Sequence, residues 1–474
     1  MIYKQYFLGC LAHASYLLGS GGEACLIDPQ RDIDEYLETL KQENLKLKYV
    51  IETHLHADFV SGHVELAEKT GAQIVYSEKA GVNFPHLGVK DNDTLQVGQI
   101  TLTFLETPGH TPESICILAQ DAESPQAPSK LFTGDTLFIG DVGRPDLAGR
   151  LGISAKEMAA ALYDSLHNKL LKLDDSTEVL PAHGAGSLCG KNISTERSST
   201  IGDQRKFNWA LKPMSKEAFI AQTTAELPEI PKYFGQAVAT NKEGAKHLSD
   251  LPDLKKMTAK EVKVKHDQGA LIVDVRSPQE FGVGHPAGAI NIGLGGQFAS
   301  FGGMLLDAHP EKIIIGTEEQ AREAVTRLAR AGLENVIGYL SDTDGCPVKT
   351  WQEAGMKVVS VAQNSVNDLA EKLKADKNTY VIDVRRPGEY ASGHVPGAKS
   401  IPLHELTERI GELDKTRTVH VICAGGYRSS MACSLLLQNK FDNLINIEGG
   451  TQAWRKAGHA VQEETVGATG ACQG

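Results

Sequence analysis

The chain has 474 residues, 41% hydrophobic and 23% charged, so its apolar content suffices for roughly two to four ordinary domains. Its net charge of −12 argues against general binding to nucleic acids or membrane surfaces, because both favour basic faces. The sequence lacks a membrane-length apolar run and a signal-peptide pattern, and eight cysteines are too few for a disulfide scaffold. We therefore expect a cytoplasmic protein with reduced thiols and no membrane or nucleic-acid partner.

The N-terminal part alternates strand-like and helical segments, which predicts an α/β domain. Apolar, strand-like runs occur at 24–28, 49–52, 100–104 and 130–133. A Pro-rich segment and a polar segment then indicate the end of the domain, which we place at residues 1–245.

Four short segments of this domain carry histidine or aspartate just after an apolar run and beside glycine or proline. Their candidate ligands are His54, His56, Asp58, His110, Asp135 and His183. Loop residues at strand ends converge on one place in an α/β sandwich. Because imidazole and carboxylate together suit iron, zinc or manganese, the pattern predicts a metal site.

The His-x-His-x-Asp pattern, with Gly-His and Gly-Asp downstream, resembles the metallo-β-lactamase superfamily, which implies an αββα sandwich. Two-metal members place a second histidine after the aspartate, where this chain has Phe59. Phenylalanine cannot bind a metal, so we expect a single ion. The most similar members are mononuclear Fe(II) persulfide dioxygenases. This resemblance implies one Fe(II) per chain, bound by His54, His110 and Asp135.

Two histidines and one carboxylate leave coordination positions open, which suits binding of O₂ beside a substrate sulfur. The resemblance implies that the other three residues support the ligands, hold water or act as alternative ligands; these are His56, Asp58 and His183. The segment 140–146 also resembles this family. Its Arg144 is expected to bind an anionic group of the thiol carrier, with a solvated loop charge as the alternative.

The C-terminal half contains an internal repeat, because 271–289 and 380–398 share Asp-Val-Arg followed by Gly-His. The motif aspartate recurs after 109 residues, and so does the motif histidine. Each copy opens with a β-branched run and continues into a helical pattern, which indicates a buried parallel strand in an α/β domain. We place the two domains at 246–358 and 359–474.

In the last domain, Cys423 follows an apolar strand and precedes a Gly-rich turn and a helical stretch. Backbone N–H groups of such a turn can point at the sulfur, which predicts a thiolate-rich Cys423 that holds sulfane sulfur as a persulfide. Arg428 is expected to add positive charge. The spacing Cys423-x-x-Gly426-x-Arg428 resembles rhodaneses. The residues expected to bind substrate are Gly425, Gly426 and Tyr427.

The middle repeat lacks the cysteine and the arginine of this loop. Aligning the last strands of the two copies at an offset of 108 residues places Ile315 opposite Cys423 and Gln320 opposite Arg428, in a loop with no thiol and two acids. We therefore expect a rhodanese fold without transferase activity, serving as a spacer or docking element. Cys346 lies far from the loop position and is expected to be a bystander.

The other thiols lie in apolar or small-residue contexts and are predicted to be core; these are Cys10, Cys25, Cys116, Cys189 and Cys433. Cys472 lies in a Gly-rich tail. A disordered tail is favoured there over a mobile second sulfur acceptor.

The domain order resembles bacterial persulfide dioxygenase–sulfurtransferase fusions over essentially the whole chain. This implies sulfide detoxification: a thiol persulfide and O₂ give sulfite and thiol at the iron, and Cys423 passes sulfane sulfur to sulfite, giving thiosulfate. Glutathione, coenzyme A and bacillithiol all fit as the carrier, and a homo-oligomer is expected. The main alternative is a zinc thioester hydrolase of the glyoxalase II type with an appended rhodanese. A second is a sulfur carrier or persulfide sensor without turnover.

Overall fold

The structure is a computed structural model that describes residues 1–225, 227, 230–341 and 347–464. Cys346 and Cys472 lie outside the described residues. The chain forms two compact units. The first contains Met1–Leu251 together with Thr326–Glu334, and the second contains the rest. In the part of the chain just defined, no helix combines the length and the apolar character needed to cross a membrane.

The first unit is rich in β-structure. Its strands are β1 Ile2–Leu8, β2 His13–Ser20, β3 Glu23–Ile27, β4 Lys46–Ile51, β5 Gln73–Ser77, β6 Leu87–Val89, β7 Thr94–Val97, β8 Ile100–Glu106, β9 Ile115–Asp121, β10 Lys130–Gly134, β11 Glu178–Pro181 and β12 Ser199–Thr200. Its helices are α1 Asp34–Gln42, α2 His63–Thr70, α3 Ala155–Asn168, α4 Ile201–Phe207, α5 Lys216–Thr224 and α6 Phe234–Glu243.

These strands form two six-stranded sheets, in the orders β1-β2-β3-β4-β5-β6 and β12-β11-β10-β9-β8-β7. Apolar side chains of both sheets, such as Ile27 and Phe104, share one core. Leu40 of α1 and Leu66 of α2 pack on the outer face of the first sheet. Helices α3 and α5 cover the second sheet in the same way. The predicted αββα sandwich is therefore confirmed.

The four strand-like runs foreseen in the sequence fall on β3, β4, β8 and β10. Strands β10 and β11 are parallel neighbours, and Gly134 at the end of β10 lies beside Pro181 at the end of β11. The loops that follow these strands therefore start from the same edge of the sheet. Asp135 and His183 lie on those two loops.

The second unit contains both copies of the repeat. The strands of the middle copy are β13 Lys255–Lys256, β14 Leu271–Asp274, β15 His285–Pro286, β16 Ile290–Asn291, β17 Lys312–Ile315, β18 Val336–Leu340 and β19 Val358–Val359. Its helices are α7 Ala259–Asp267, α8 Pro278–Val283, α9 Phe298–Leu305, α10 Glu318–Arg330 and α11 Pro347–Glu353. The last turn of α10 belongs to the first unit.

The last copy repeats this arrangement. Its strands are β20 Ala362–Asn364, β21 Tyr380–Asp383, β22 Lys399–Ser400, β23 Val419–Ile422 and β24 Leu444–Ile447. Its helices are α12 Val366–Ala375, α13 Pro387–Ala391, α14 Leu406–Arg409, α15 Tyr427–Gln438 and α16 Gly450–Lys456. The parallel sheets have corresponding orders, β13-β18-β17-β14-β16 and β20-β24-β23-β21-β22.

The repeated Asp-Val-Arg motif has a structural role in both copies. Arg385 forms an ion pair with Asp383 and donates a 3.0 Å hydrogen bond to the carbonyl oxygen of Gly393. Arg276 donates the equivalent 2.9 Å bond to the carbonyl oxygen of Gly284. Each arginine therefore links the aspartate at the end of a central strand, β14 or β21, to the glycine that precedes the motif histidine. This explains why the motif survives in the copy without a thiol.

The predicted alignment of the two copies was wrong by one residue. The motif aspartate pairs with Ile315 in β17 and with Ile422 in β23, so Gly316 stands opposite Cys423. The same register places Ala321, and not Gln320, opposite the loop arginine. The error arose because the pairing of β17 with β18 contains a register shift, which adds one residue to β18. The middle loop still has no thiol at the equivalent position.

Candidate metal centre and sulfur-transfer site

The three predicted iron ligands lie together in the first unit. One donor atom from each of His54, His110 and Asp135 falls within 4.8 Å of the others, and all three side chains are buried. The Nε2 atom of His110 lies 3.4 Å from Oδ2 of Asp135, and that of His54 lies 3.9 Å from the same oxygen. The loops after β4, β8 and β10 therefore converge as the sequence pattern predicted.

Hydrogen bonds fix the orientation of both histidines. The Nδ1 atom of His110 lies 3.0 Å from the carbonyl oxygen of Arg144, and Nδ1 of His54 lies 3.0 Å from Oγ1 of Thr53. The Thr53 hydroxyl in turn donates to Asp28 at 2.8 Å. With Nδ1 as the N–H donor, each Nε2 presents a lone pair to the cluster.

The donor set fits a metal ion. Both Nε2 atoms and both Asp135 carboxylate oxygens are buried and have no hydrogen-bond partner among the described residues. Buried polar atoms are otherwise nearly always paired, so this group is costly unless a cation joins it. Burial lowers the pKa of His54 well below its usual range, with a further contribution from neighbouring histidines, and burial lowers the pKa of His110. Neutral imidazole is the form that binds metals.

A second group of donors adjoins the first. It comprises His56, Asp58 and His183, whose donor atoms also fall within 4.8 Å of one another. The Nε2 atom of His183 lies 3.3 Å from Oδ2 of Asp58 and 3.6 Å from Oδ1 of Asp135. The ring of Phe59 lies 4.4 Å from that of His56, so an apolar side chain borders this group.

Arg144 reaches the metal centre through its backbone. Its guanidinium is buried and donates two 2.7 Å hydrogen bonds to the carboxylate of Asp146. Its carbonyl oxygen accepts the hydrogen bond from His110. The backbone of Arg144 therefore orients His110, while its side chain is bound to Asp146.

The sulfur site lies at the end of β23. The buried Sγ atom of Cys423 accepts a 3.1 Å hydrogen bond from the N–H of Gly426 and lies 3.4 Å from Oγ of Ser429. Helix α15 begins at Tyr427, so its N-terminal end follows directly after the loop that surrounds the sulfur. Gly426 has φ of +95°, a conformation that favours glycine. The Gly426 N–H and the Ser429 hydroxyl therefore both lie within hydrogen-bonding distance of Sγ.

The start of α16 supports the loop from behind. The N–H of Thr451 donates to the carbonyl oxygen of Cys423 at 2.8 Å. A Cβ atom on Gly450 would lie 2.2 Å from that oxygen, so only glycine permits the approach. Gly450, at the start of α16, therefore lets the helix approach the carbonyl side of the cysteine loop.

Arg428 is already paired. It donates two 2.7 Å hydrogen bonds to the carboxylate of Glu389, a residue that the sequence analysis did not select. The hydroxyl of Tyr427 donates to the carbonyl oxygen of Gly293 at 2.6 Å, and Gly425 is exposed at the tip of the loop. The predicted loop residues are thus together, but a carboxylate offsets the charge of the arginine.

In the equivalent loop of the middle copy, the backbone N–H groups are bonded to side chains of the same loop. The N–H of Thr317 donates to Oε1 of Gln320 at 2.9 Å, and the N–H of Gln320 donates back to Oγ1 of Thr317 at 3.2 Å. A Cβ atom on Gly316 would lie 2.9 Å from the same glutamine oxygen. A side-chain amide therefore occupies the loop that surrounds a sulfur in the last copy.

Comparison with known proteins agrees with this division. The family described as the metallo-beta-lactamase superfamily matches residues 8–183, and the rhodanese-like domain matches 258–342 and 365–457. A solved metallo-beta-lactamase from Staphylococcus aureus subsp. aureus COL is 32% identical, with a TM-score of 0.64, and the match covers 71% of this chain and 98% of that one.

Curated relatives match the two parts separately. The mitochondrial persulfide dioxygenase of Bos taurus is 33% identical over 206 residues, covering 42% of this chain and 74% of that protein. A sulfurtransferase of Allochromatium vinosum is 34% identical over 90 residues, covering 19% and 84%. The chain belongs to the persulfide dioxygenase–sulfurtransferase fusions of the metallo-beta-lactamase superfamily. A hydroxyacylglutathione hydrolase of Polaromonas sp. is also similar, at 29% identity over 235 residues, covering 44% and 84%.

In this fusion a cysteine also lies beside the metal-binding residues. Cys189 was expected to be an ordinary core residue, and it is buried, but its sulfur lies within 4.8 Å of donor atoms of Asp135 and His183. Burial, with the nearby carboxylates of Asp58 and Asp135, raises the pKa of this thiol well above its usual range. Its position, six residues after His183 in a Gly-rich loop, was the available sequence signal.

Proposed function

We propose that the first unit oxidises a low-molecular-weight thiol persulfide with O₂ at a single iron ion, and that Cys423 transfers sulfane sulfur to sulfite. The observation that carries the first half is the buried group of His54, His110 and Asp135, whose facing atoms lack hydrogen-bond partners. The relatives named persulfide dioxygenase and sulfurtransferase support the same pair of activities.

The overall oxidation balances as R–S–SH + O₂ + H₂O → R–SH + SO₃²⁻ + 2H⁺. The terminal sulfur is oxidised, O₂ is the oxidant, and the S–S bond breaks to release the carrier thiol. Iron held by two histidines and one carboxylate would supply open positions where O₂ and a persulfide sulfur can meet. That chemistry is the reason to favour iron over zinc.

The protein's own residues would prepare this site. The hydrogen bonds from His54 to Thr53 and from His110 to the Arg144 carbonyl keep each imidazole in one tautomer and one orientation. Burial keeps both rings neutral and excludes bulk water from the cluster. A rigid, dry donor set of this kind suits a reaction in which water would compete with O₂ for the metal.

The transfer half needs only the cysteine loop. The Cys423 thiolate attacks the outer sulfur of R–S–SH, the new S–S bond forms on Sγ, and R–S⁻ leaves. Sulfite then attacks the outer sulfur of the Cys423 persulfide, the S–S bond to Sγ breaks, and the persulfide proton is released, giving S₂O₃²⁻ and restoring the thiolate. The Gly426 N–H and the Ser429 hydroxyl lie close enough to stabilise negative charge on Sγ in both steps. The first activity produces the sulfite that the second consumes.

The test is oxygen uptake by the iron-loaded, full-length protein given a thiol persulfide. His110→Ala should abolish uptake and leave thiosulfate-dependent transfer by Cys423 intact. Cys423→Ser should leave uptake intact and shift the product from thiosulfate to sulfite. Equal thiosulfate yields from Cys423→Ser and the unaltered protein would show that the two halves are not coupled.

A zinc thioester hydrolase is the second candidate, and two observations favour it. His56, Asp58 and His183 form another buried donor group, and a hydroxyacylglutathione hydrolase is among the relatives. A hydrolase of that class uses metal-bound water as its nucleophile. Two zinc ions per chain, with hydrolysis of a glutathione thioester and no oxygen uptake, would support this function. One iron per chain with oxygen uptake would exclude it.

A further inference from the structure

The first turn of α15 lies against the middle copy of the repeat. The hydroxyl of Ser430 donates a 2.6 Å hydrogen bond to Oδ1 of Asn291. The hydroxyl of Tyr427 donates a bond of 2.6 Å to the carbonyl oxygen of Gly293, two residues further along the middle copy. Both copies belong to the second unit. The turn next to the reactive sulfur is therefore held at two points by residues outside its own copy.

Asn291 is itself firmly held. It ends β16 and is buried, and its side-chain NH₂ group donates 3.0 and 3.1 Å hydrogen bonds to the carbonyl oxygens of Asp274 and Arg276. In the strand register, Asn291 pairs with Asp274 in the middle copy as Ser400 pairs with the motif aspartate in the last copy. The strand pairing therefore does not require an amide at this position. The bond to Ser430 is a contact that the amide adds.

Hydrogen bonds connect Ser430 to the reactive sulfur in two steps. The backbone N–H of Ser430 donates to the carbonyl oxygen of Gly426 at 3.3 Å, and the N–H of Gly426 donates to Sγ of Cys423 at 3.1 Å. Ser429, the preceding residue of the same turn, places its hydroxyl 3.4 Å from that sulfur. A change in the position of Ser430 would therefore move both groups that face Sγ.

The aromatic ring of Tyr427 packs on a glycine-rich segment of the middle copy. A Cβ atom on Gly293 would lie 3.5 Å from this ring, and one on Gly296 would lie 3.6 Å from it. The ring of Phe301 meets it edge-on, with ring centres 5.7 Å apart. The start of α15 is therefore held by this ring as well as by the two hydroxyl groups.

We propose that the middle copy positions the sulfur site, and that Asn291 acts through Ser430 as its positioning residue. The groups held in place are the Gly426 N–H and the Ser429 hydroxyl. The inference rests on the proposed transfer at Cys423 and assigns a role to the copy whose loop has no thiol. When sulfite attacks the Cys423 persulfide, the S–S bond breaks and Sγ leaves as a thiolate. Donors fixed at Sγ stabilise the charge that develops there, so their orientation affects the rate of this step and not the binding of sulfite.

Single-turnover discharge separates rate from binding. The full-length protein is loaded with one equivalent of glutathione persulfide, the Cys423 persulfide is verified by mass spectrometry, and sulfite is added without O₂. Thiosulfate release is followed against sulfite concentration. We expect Asn291→Ala and Ser430→Ala each to lower the maximal rate about tenfold and to leave the half-saturating sulfite concentration within twofold. The double variant should be no slower than the slower single variant, because both changes remove the same hydrogen bond.

Gln438→Ala is the matched control. Gln438 ends the same helix and also bonds to the middle copy, at 2.8 Å from the carbonyl oxygen of Gly288, but it lies far from the first turn. Its maximal rate should stay within twofold of the unaltered protein. Tyr427→Phe keeps the ring and removes only the hydroxyl, so it tests the second contact without a change in the middle copy. We expect it to lower the maximal rate about threefold at unchanged half-saturation.

Three outcomes would overturn the proposal. Asn291→Ala and Ser430→Ala discharge as fast as the unaltered protein, their losses multiply in the double variant, or Gln438→Ala slows the step as much as they do. A rise in half-saturating sulfite at an unchanged maximal rate would likewise assign these residues to binding and not to positioning.

Hydrogen exchange separates this inference from the proposed function. Peptides that cover residues 424–431 should exchange at least fivefold faster in Asn291→Ala than in Gln438→Ala, whether or not transfer occurs. If the unaltered protein forms no thiosulfate, the proposed transfer fails, and the exchange comparison still decides whether the middle copy holds the loop. Equal exchange in the two variants would contradict the positioning role.

Discussion

Arg428 and Glu389 form a two-pronged ion pair beside the reactive sulfur, with both nitrogen–oxygen distances at 2.7 Å. Burial alone would raise the pKa of the Glu389 carboxyl, but the arginine outweighs it, and the net pKa is lowered. The carboxylate is therefore charged at neutral pH. The sulfur site thus presents a neutralised arginine, and an incoming anion such as sulfite must compete with Glu389 for it.

Removing this carboxylate should improve the use of anionic acceptors. Glu389→Gln leaves Arg428 with an uncompensated charge, and one charge at about 4 Å in water changes binding by ~1 kcal/mol, or roughly fivefold. We therefore expect the KM for sulfite in thiosulfate formation to fall about three- to tenfold. Steady-state assays of transfer from Cys423 measure it. Glu412→Gln is the control, since Glu412 pairs with a different arginine of the same domain. An unchanged or raised KM in Glu389→Gln would contradict this role.

The middle copy should lose stability in acid through His285. This ring stacks on Phe281 at 3.5 Å and is buried, and desolvation lowers its pKa to about 4. Between about pH 6.5 and 4 the unfolded chain binds a proton that the folded chain does not. Stability therefore falls as pH decreases through that window, by up to ~3 kcal/mol.

Hydrogen exchange of peptides from residues 271–292, followed against pH, measures this loss. His285→Gln should flatten the acid slope, whatever its effect on stability at neutral pH. Identical slopes in the two proteins would assign the acid sensitivity to other groups.

The end of α10 should stabilise the loop that carries metal donors. Within the first unit, Arg330 donates two hydrogen bonds to Asp32, at 2.6 and 2.7 Å, and its carbonyl oxygen accepts a 2.7 Å bond from the N–H of Val60. Val60 lies two residues after Asp58. Hydrogen bonds to charged groups contribute about 1.5–3 kcal/mol, so Arg330→Ala should loosen this loop.

The measurement is the rate at which a chelator removes iron from the loaded protein. We expect Arg330→Ala to accelerate release about five- to tenfold. Arg322→Ala, which removes an exposed arginine of the same helix, should have no effect. The double exchange Asp32→Arg with Arg330→Asp should restore slow release. Rapid release in the exchanged protein would show that the ion pair is not the cause.

The middle loop should not gain transferase activity when a thiol is added. In a Cys423→Ser background, Gly316→Cys places a cysteine at the register position that the strands define. The loop N–H of Thr317 is already bonded to Gln320, and Ala321 stands where the active loop has arginine. We expect less than 1% of the original transfer rate. Substantial activity would mean that the thiol alone had been missing.

The metal ligands and the cysteine loop could be predicted from the sequence, because each is encoded in a short segment. His54, His110 and Asp135 were found because each follows a strand, and strand ends in a sandwich meet at one edge. The cysteine loop was found because its donors are consecutive in the chain. The superfamily resemblance implied two sheets with helices packed on their outer faces.

The features that could not be predicted from the sequence are contacts between residues far apart in the chain. Glu389 lies 39 residues from Arg428, and Asp32 lies 298 residues from Arg330, so neither pair has a local signal. For Cys189 the sequence offered only its position six residues after His183, and the fold was needed to place its sulfur near Asp135. The one-residue error in aligning the repeats came from a register shift in β18, which leaves no mark in composition or spacing.

Metal content and oxygen uptake, measured on one sample, test the central claim most directly. The full-length protein, reconstituted with Fe(II) without oxygen, is analysed for metal and then given glutathione persulfide in an oxygen electrode. We predict one iron per chain, one O₂ consumed per persulfide, and loss of both iron and uptake in His110→Ala. His86→Ala, the control, should keep both, because His86 is a half-buried histidine just before β6 that belongs to none of the donor groups. Two tightly held zinc ions per chain, or iron-loaded protein that consumes no oxygen with any thiol persulfide, would contradict it.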